Sequence, residues 1–226
     1  MTWDWKFVIE ILPDLLEGVK ITILATLLGA CVAAVLGLIF MLARKSRIRV
    51  LARTATFGCE FIRGTPLLVQ LYFIFYILPD LGVRLPPLAA GVIGLGIHYA
   101  TYTAEVYRAG IDAVPRGQWE AALACNLSPW QTWRYVVLPQ GVPPMIPALA
   151  NYLITMFKET PLLSVVTILE LMGQARIISN YTFRYLEPMT MVGVIFLIIS
   201  LISIVLLRAL ERRFGRLGKA GPGMTR

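Results

Sequence analysis

The chain has 226 residues, of which 58% are hydrophobic and only 15% are charged, and its mean hydropathy is +0.72. Because soluble domains carry about 25% charged residues, this composition excludes an ordinary soluble domain and indicates an integral membrane protein. The net charge of +8 does not indicate nucleic-acid binding, because the basic residues form short runs between apolar segments.

The first 18 residues precede the first long apolar run. They carry acidic side chains, whereas a secretory signal peptide begins with basic ones. We therefore expect no signal peptide and predict that residues 1–18 form an external amphipathic lead-in, with Trp3 and Trp5 as anchors at the membrane interface.

Five apolar segments follow the lead-in, and each is a candidate membrane span. About 20 helical residues are needed to cross a hydrocarbon core of about 30 Å. These lengths predict an all-α integral membrane fold, with a single transmembrane domain at 19–210 and a basic cytoplasmic tail at 211–226. The predicted bundle contains about five helices, at residues 19–43, 54–78, 87–111, 144–172 and 189–207.

Two of the predicted spans contain a helix-breaking sequence. Thr65-Pro66 lies inside the second span and Thr160-Pro161 inside the fourth. A threonine N-cap followed by proline at the first helical position is a typical helix start. Interrupted helices expose backbone N–H groups that transporters direct at solutes, although a kinked helix packed against its neighbours fits the same pattern.

Lysine and arginine residues are concentrated on one side of the five predicted spans. They follow the first span, lie around residues 112–138 and return after the last span, where Arg208, Arg212 and Arg213 begin a basic run. Positive residues mark cytoplasmic loops. We therefore predict an external N-terminus, a cytoplasmic C-terminus and a cytoplasmic loop at 112–139.

This cytoplasmic loop contains a helix–turn–helix pattern. Glu120-Ala121-Ala122 favours a helix, in which an early acidic residue complements the helix dipole. Asn126 tolerates the left-handed conformation that ends helices, and Ser128-Pro129 starts the next helix. An ordinary amphipathic surface loop is the alternative.

The same loop resembles the coupling loop of ABC importer permeases. Its spacing matches E-A-A-x3-G-x9-I-x-L-P from Glu120 through Leu138 and Pro139, with Asn126 in place of glycine and Val136 in place of isoleucine. Three segments are similar to permeases of polar amino acids: Phe61 to Gln70, Ala104 to Ile111 and Asn151 to Leu162, the last of which includes the run Lys158-Glu159-Thr160-Pro161-Leu162. The resemblance covers about residues 15–212.

The resemblance implies the type I ABC importer permease architecture of the histidine, glutamine, arginine and opine group. It implies two ATPase subunits, a second copy or sister permease, an external solute-binding protein and a location in the bacterial inner membrane. It leaves room for a compatible solute such as ectoine or hydroxyectoine. The implied coupling residues are Gly117, Glu120, Ala121, Ala122, Asn126, Leu138 and Pro139.

Polar side chains inside the apolar spans are the candidates for contact with the solute. Burying such groups in lipid is costly, so they are functional candidates by default. Packing and pairing within the bundle are the alternative, and for Glu105 the alternative is an ion pair with Arg108. The candidate pathway residues are Gln70, His98, Tyr102, Thr103, Asn151, Lys158 and Glu159.

The sequence offers little for catalysis or for binding of a cofactor. It has one histidine and three widely separated cysteines, and the G-x-x-x-x-G-K-[ST] phosphate loop is absent. We expect no metal and no cofactor in this chain, with ATP and magnesium on the partner ATPase. A self-contained secondary transporter or channel is the alternative function, and an enzyme or an assembly anchor is a weaker one.

Overall fold

The computed structural model describes residues 3–214, and within that range the regular structure is entirely helical. This confirms the all-α prediction; residues 215–226 of the predicted basic tail lie outside the described residues. The α-helices are α1 (Trp5–Arg44), α2 (Arg49–Gly64), α3 (Leu67–Tyr72), α4 (Pro87–Asp112), α5 (Arg116–Ala124), α6 (Pro129–Gln131), α7 (Leu138–Glu159), α8 (Leu171–Thr182) and α9 (Leu186–Phe214).

Helix α1 begins within the region that we predicted as a separate lead-in. Asp4 is its N-cap, because Asp4 Oδ1 accepts hydrogen bonds from the backbone amides of Lys6 at 2.9 Å and Phe7 at 3.4 Å. The Phe7 and Lys6 amides keep the pKa of Asp4 below its ordinary value. Residues 5–18 are therefore continuous with the first span, which differs from the predicted division at residue 18.

Helices α1 and α4 form the central pair of the bundle and approach each other through small residues. A methyl group on Gly96 would lie 2.4 Å from Val32 Cγ1, and one on Gly37 would lie 2.8 Å from Thr103 Cγ2. Such close backbone approach is the usual means by which membrane helices gain packing energy. The bundle therefore depends on glycine at these positions.

The second predicted span is bent by 104° between α2 and α3. The prediction that Thr65 caps a new helix is wrong, because its hydroxyl donates back to the Ile62 carbonyl at 3.1 Å and α3 begins only at Leu67. The span also starts earlier than residue 54, since α2 begins at Arg49. After α3 the chain continues through a π turn and a 3₁₀ turn, at Phe73–Ile77 and Leu78–Leu81.

The fourth predicted span is interrupted at Thr160 and bends by 46° before α8. The Thr160 hydroxyl donates to the Phe157 carbonyl at 2.8 Å, so the predicted cap is again wrong, and a 3₁₀ segment follows at Thr160–Val166. The true helix start is Leu171, where buried Glu170 accepts hydrogen bonds from Met172 N at 2.9 Å and Gly173 N at 2.7 Å. An acidic N-cap is favourable at this position.

The N-terminus of α8 is attached to α1 through a hydroxyl group. The amide of Leu171 donates to Thr22 Oγ1 at 3.1 Å, and the Thr22 hydroxyl donates to the Gly18 carbonyl at 3.0 Å. A methyl group on Gly18 would lie 2.8 Å from Leu171 Cα. The broken span is therefore fixed to the first helix at its interruption.

The helices differ in how clearly they qualify as membrane spans. By length and composition α1 and α9 could cross a membrane, and up to four spans result if each bent pair counts as one. Helix α4 has 26 residues, about 39 Å at 1.5 Å per residue, but its buried polar side chains lower its hydropathy. The total of five spans remains a prediction.

The close contact of α1 with α4 can be tested by enlarging Gly96. We expect Gly96→Ile to destabilise the bundle by about 1–3 kcal/mol, because the new side chain overlaps Val32. The thermal unfolding midpoint of the purified, inserted subunit should fall. Gly193→Ile in α9 is the matched control, since a methyl group there meets no heavy atom within 4 Å, and an equal loss in both variants would contradict the packing argument.

Candidate functional site

Residues 116–139 form a projecting helix–turn–helix, which we call the knuckle. Its first arm, α5, ends in a left-handed residue, because Asn126 has φ of 52°. Asn126 N donates to the Leu123 carbonyl at 2.9 Å and Leu127 N to the Ala122 carbonyl at 3.0 Å. This pair of hydrogen bonds is the Schellman motif that closes helices, and it confirms the turn predicted at Asn126.

The second arm of the knuckle begins at the predicted cap. Ser128 Oγ accepts a hydrogen bond from Gln131 N at 3.3 Å, and Gln131 Oε1 accepts one from Ser128 N at 2.9 Å, so the two residues form a capping box. The chain then continues through a π turn at Thr132–Val137 into α7. Leu138 and Pro139 are the first two residues of α7, so the second arm enters the bundle without an interruption in helical structure.

The two arms of the knuckle are packed against each other by aromatic and polar contacts. The rings of Trp119 and Trp133 meet edge to face with centroids 5.7 Å apart. Gln140 Nε2 donates to Gln118 Oε1 at 3.1 Å and so connects α7 back to α5. The knuckle is therefore a braced unit rather than an open surface loop.

The coupling residues predicted from the resemblance occupy different faces of α5. Glu120 and Ala121 are exposed, whereas Ala122 is 3% exposed and faces the interior of the knuckle. Gly117 lies in open space, since a methyl group there meets no atom within 4 Å. The predicted dipole role of Glu120 is wrong, because α5 begins four residues earlier at Arg116 and places Glu120 in the middle of the helix.

A cluster of aromatic side chains occupies the bundle core between α4 and α7. We call Tyr99, Tyr102, Tyr152 and His98 the tyrosine cluster. The centroid distances are 6.0 Å for Tyr99–Tyr102, 5.5 Å for Tyr102–Tyr152 and 5.4 Å for His98–Tyr102. Such spacings are typical of interacting rings, so the four side chains form one continuous aromatic surface.

A carboxylate lies at the edge of the tyrosine cluster. Glu159, the last residue of α7, accepts a hydrogen bond from the Tyr99 hydroxyl at 2.8 Å. Tyr99 is 3% exposed, so this hydrogen bond lies within the bundle. The cluster thus combines π faces with one acidic group.

The broken second span contributes a fixed amide to the same cluster. Gln70 Nε2 donates to the Ile62 carbonyl at 2.7 Å and to Thr65 Oγ1 at 2.8 Å, which fixes the orientation of the amide. Gln70 Oε1 then faces His98 Nδ1 at 3.3 Å. Because an amide oxygen only accepts, His98 donates from Nδ1, and its Nε2 remains the free ring nitrogen.

The structure brings together four of the predicted pathway residues, namely Gln70, His98, Tyr102 and Glu159. Thr103 is buried one turn from Tyr99, whereas Asn151 and Lys158 lie on an exposed face of α7, outside the cluster. The sequence interpretation counted Tyr99 among the polar side chains of the third predicted span but missed Tyr152. A tyrosine in an apolar span is weaker evidence than a charged residue, and only the packing of α4 against α7 joins them.

A second polar group connects three helices at the ends of α1 and α2. The Glu105 carboxylate of α4 pairs with Arg44 at 2.6 Å, Arg63 at 3.3 Å and Arg108 at 2.9 Å. The Arg108 pair is the one that the sequence suggested. Arg44 and Arg63 were missed because they are distant in sequence, and together the four side chains fasten the C-terminal ends of α1 and α2 to α4.

A helical membrane bundle with interrupted spans, a polar cluster in its core and a braced projecting knuckle defines a membrane transport subunit. Residues 25–216 match the family described as "Binding-protein-dependent transport system inner membrane component". This match covers most of the chain, and the chain belongs to that family.

Individual relatives narrow the family to amino-acid transporters. The chain is 46% identical to the "Probable amino-acid ABC transporter permease protein y4tG" of Sinorhizobium fredii, over 93% of each chain. It is 38% identical to the "Glutamine transport system permease protein GlnP" of Escherichia coli, over 94% of this chain and 98% of that one. The "Arginine transport system permease protein ArtQ" of Bacillus subtilis is 33% identical, with the same coverage.

Solved structures support the same assignment. The structure described as "Crystal structure of an amino acid ABC transporter with histidines" matches with a TM-score of 0.87 and 38% identity, over 94% of this chain and 100% of that one. The inward-facing MetNI methionine ABC transporter matches with a TM-score of 0.62 and 19% identity, which shows the fold alone. The chain is therefore the permease subunit of an amino-acid ABC importer, a transport component and not an enzyme.

The left-handed turn of the knuckle can be tested at Asn126. We expect Asn126→Gly to leave the stability of the knuckle unchanged, because glycine adopts a positive φ at little cost. Asn126→Val should cost more than about 1–2 kcal/mol, since a β-branched side chain disfavours this conformation. Limited proteolysis between residues 124 and 129 in the assembled transporter measures the difference, and equal cleavage of both variants would contradict it.

Proposed function

We propose that this permease carries a polar amino acid, or a related zwitterion such as ectoine or hydroxyectoine, along a path that passes the tyrosine cluster and Glu159. The observation that carries the proposal is the part-buried hydrogen bond from Tyr99 to Glu159 beside the aromatic faces of Tyr102 and Tyr152. Acidic and polar groups inside a membrane bundle mark solute pathways. Relatives named for glutamine and arginine transport support an amino acid as the solute.

The chemistry of the cluster favours a solute that bears a positively charged nitrogen. Tyrosine faces attract ammonium, guanidinium and amidinium groups through their π electrons. A carboxylate such as that of Glu159 forms short charge-assisted hydrogen bonds with the same groups. The α-ammonium of an amino acid or the amidinium of ectoine fits this combination, and an uncharged sugar does not.

The role of Glu159 can be tested by removing its charge. We expect Glu159→Gln to lower the uptake of the cognate amino acid by about ten- to hundredfold, because a hydrogen bond to a charged group contributes about 1.5–3 kcal/mol. The measurement is uptake of radiolabelled solute into proteoliposomes that contain the complete transporter. Membrane insertion and ATPase binding should be unchanged.

Lys158→Gln is the matched control for this experiment. Lys158 is adjacent to Glu159 in sequence but lies on the exposed face of α7, outside the tyrosine cluster. Its neutralisation should leave uptake within about twofold of the wild-type rate, since surface substitutions cost little. If Lys158→Gln abolished uptake while Glu159→Gln did not, the solute path would not pass Glu159.

We also propose that the knuckle binds the partner ATPase and transmits its movement. Glu120, Ala121 and Leu123 present an accessible face, and Leu123 is 75% exposed. Buried Ala122 and the turn at Asn126 shape the knuckle from inside, and Leu138 and Pro139 connect it to α7. ATP and magnesium are bound by the ATPase, and ATP binding there moves the knuckle.

The assembly that follows has two permeases, two ATPases and an external binding protein. The permeases are either two copies of this chain or this chain with a sister permease. We place the N-terminus outside and both the knuckle and the C-terminus in the cytoplasm, which agrees with the distribution of basic residues. Binding-protein-dependent relatives support the classes of partner.

The docking face can be tested with a charge at Ala121. We expect Ala121→Glu to reduce co-purification of the ATPase and to abolish ATP-driven uptake, because a long acidic side chain prevents close approach at an alanine surface. The subunit should still insert into the membrane, since Ala121 is exposed. Leu81→Glu is the control, because Leu81 is 69% exposed and lies in the turn before α4, at the opposite end of that helix from the knuckle. Normal ATPase binding by Ala121→Glu would contradict the docking role.

A further inference from the structure

A cleft separates the knuckle from the ends of the two central helices. It has a volume of about 540 Å³ and lies between the C-terminal turns of α1 and α4 on one side and the two arms of the knuckle on the other. Sites for small molecules and cofactors commonly have about 300–1,000 Å³. The cleft is distinct from the tyrosine cluster, which lies deeper in the bundle.

The wall of the cleft nearest the bundle core is apolar. Met41 and Leu42 come from the last turns of α1, and Ile111 and Val114 come from the end of α4 and the residues that follow. Leu42 is 58% exposed, so one side of this wall faces outward from the bundle. An occupant of the wall therefore needs an apolar portion.

The mouth of the cleft is basic. Lys45 pairs with Asp112 at 2.5 Å, and Arg108 reaches the same carboxylate at 3.3 Å. Among the ion pairs formed by the part of the chain that the structure describes, none includes Arg116, which also lines the cleft. Arg116 is therefore available to an anion that enters the mouth.

The surroundings of the cleft carry an excess of positive charge. Glu105 and Asp112 form the ion pairs near the cleft, and each of the two carboxylates is shared among cations. These two carboxylates are shared by four cationic side chains, namely Arg44, Lys45, Arg63 and Arg108, and Arg116 adds a further positive charge outside these pairs. This imbalance attracts an anion.

Two tryptophans form the wall on the knuckle side. Trp119 and Trp133 line the cleft, and Trp133 is 38% exposed. Tryptophan is enriched at the headgroup level of membranes. The basic mouth lies where α1 ends at Arg44 and α4 ends at Asp112, and the ends of helices that cross a bilayer lie near its headgroups.

We propose that this cleft binds an anionic phospholipid. The phosphate lies between Arg116 and Lys45, and one acyl chain follows the apolar wall past Leu42. Basic pockets between membrane helices bind anionic headgroups by this chemistry. A lipid in this position contacts both the spans and the knuckle. Anionic lipid therefore supports the coupling of the ATPase to the permease, and this consequence, unlike the lipid site itself, rests on the proposed function of the knuckle.

The experiment compares retention of lipid by the assembled transporter, with its ATPases bound, in nanodiscs that contain equal amounts of phosphatidylglycerol and phosphatidylcholine. Native mass spectrometry after detergent extraction measures the lipid that remains bound. We expect selective retention of phosphatidylglycerol, and a loss of about fivefold in Arg116→Gln, because one basic residue contributes about 1 kcal/mol to binding of anionic lipid. Arg134→Gln is the matched control, since Arg134 lies on the same knuckle and does not line the cleft.

Each alternative gives a different result. Equal retention of both lipids would overturn the proposal, as would equal losses in Arg116→Gln and Arg134→Gln. Release of phosphatidylglycerol by millimolar inorganic phosphate would show a site for free anions instead of a lipid site. Retention of neither lipid by the assembled transporter would also overturn the proposal.

ATP-driven uptake is measured in the same preparations. Retained phosphatidylglycerol without uptake would count against the proposed transport function and leave the lipid site intact. Should Arg116→Gln fail to assemble, the wild-type competition between the two lipids and phosphate decides the question alone.

Discussion

A backbone polar group inside a bilayer must find its partner within the protein, and the interrupted spans of this permease meet that requirement with specific side chains. Where α2 ends at Gly64, the freed carbonyls of Ile62 and Thr65 accept hydrogen bonds from Gln70. Where α8 begins, Glu170 accepts from two amides and Thr22 accepts from a third. The breaks are stable because each has its own polar partner.

The candidate solute site lies beside these interruptions and shares side chains with them. Gln70 uses its amide nitrogen to satisfy the broken second span, so its oxygen is left to orient His98. Glu159 is the last residue of α7 before the 3₁₀ segment, and this interruption leaves its carboxylate beside Tyr99. A continuous helix at either position would place neither group in this arrangement. The irregular backbone and the polar cluster are therefore one feature of the bundle.

The parts of this structure that the sequence predicted correctly are those decided by local chemistry. The left-handed Asn126 and the Ser128-Pro129 helix start depend on residues within a few positions of one another, and both are present. The class of fold followed from composition and from the length of the apolar segments. The breaks near Thr65 and Thr160 were also predicted, because each lies at a Thr-Pro pair that is typical of a helix boundary.

The predictions that were wrong or incomplete involve contacts between residues distant in sequence, or threonine hydroxyls that can bond to more than one backbone group. Thr65 and Thr160 donate back to carbonyls within the preceding turn, which a threonine can do as readily as it caps. Tyr152 joins the cluster only because α7 packs on α4. Glu170 was missed, although a carboxylate between two apolar segments is itself a signal in a membrane protein.

A single helical run connects the knuckle to the tyrosine cluster. From Pro129 to Glu159 the chain passes through α6, the π turn and α7 without leaving helical structure, a length of about 45 Å at 1.5 Å per residue. The knuckle is at one end of this run and the carboxylate that faces Tyr99 is at the other. Glu105, meanwhile, fastens α1, α2 and α4 together through three arginines.

In the proposed function, movement of the ATPase would pull on the knuckle and so on α7. The Glu105 ion pairs would keep α1, α2 and α4 together during this movement. The run is not uniformly stiff, because the π turn at Thr132–Val137 changes the hydrogen-bond register and the prolines at 143, 144 and 147 remove backbone hydrogen bonds. Bending is easiest there, between the knuckle and the tyrosine cluster. In the proposed function, bending at this point would shift the residues near Glu159 relative to α4 without unfolding either helix, which is the movement that alternate exposure of a solute between α4 and α7 would require.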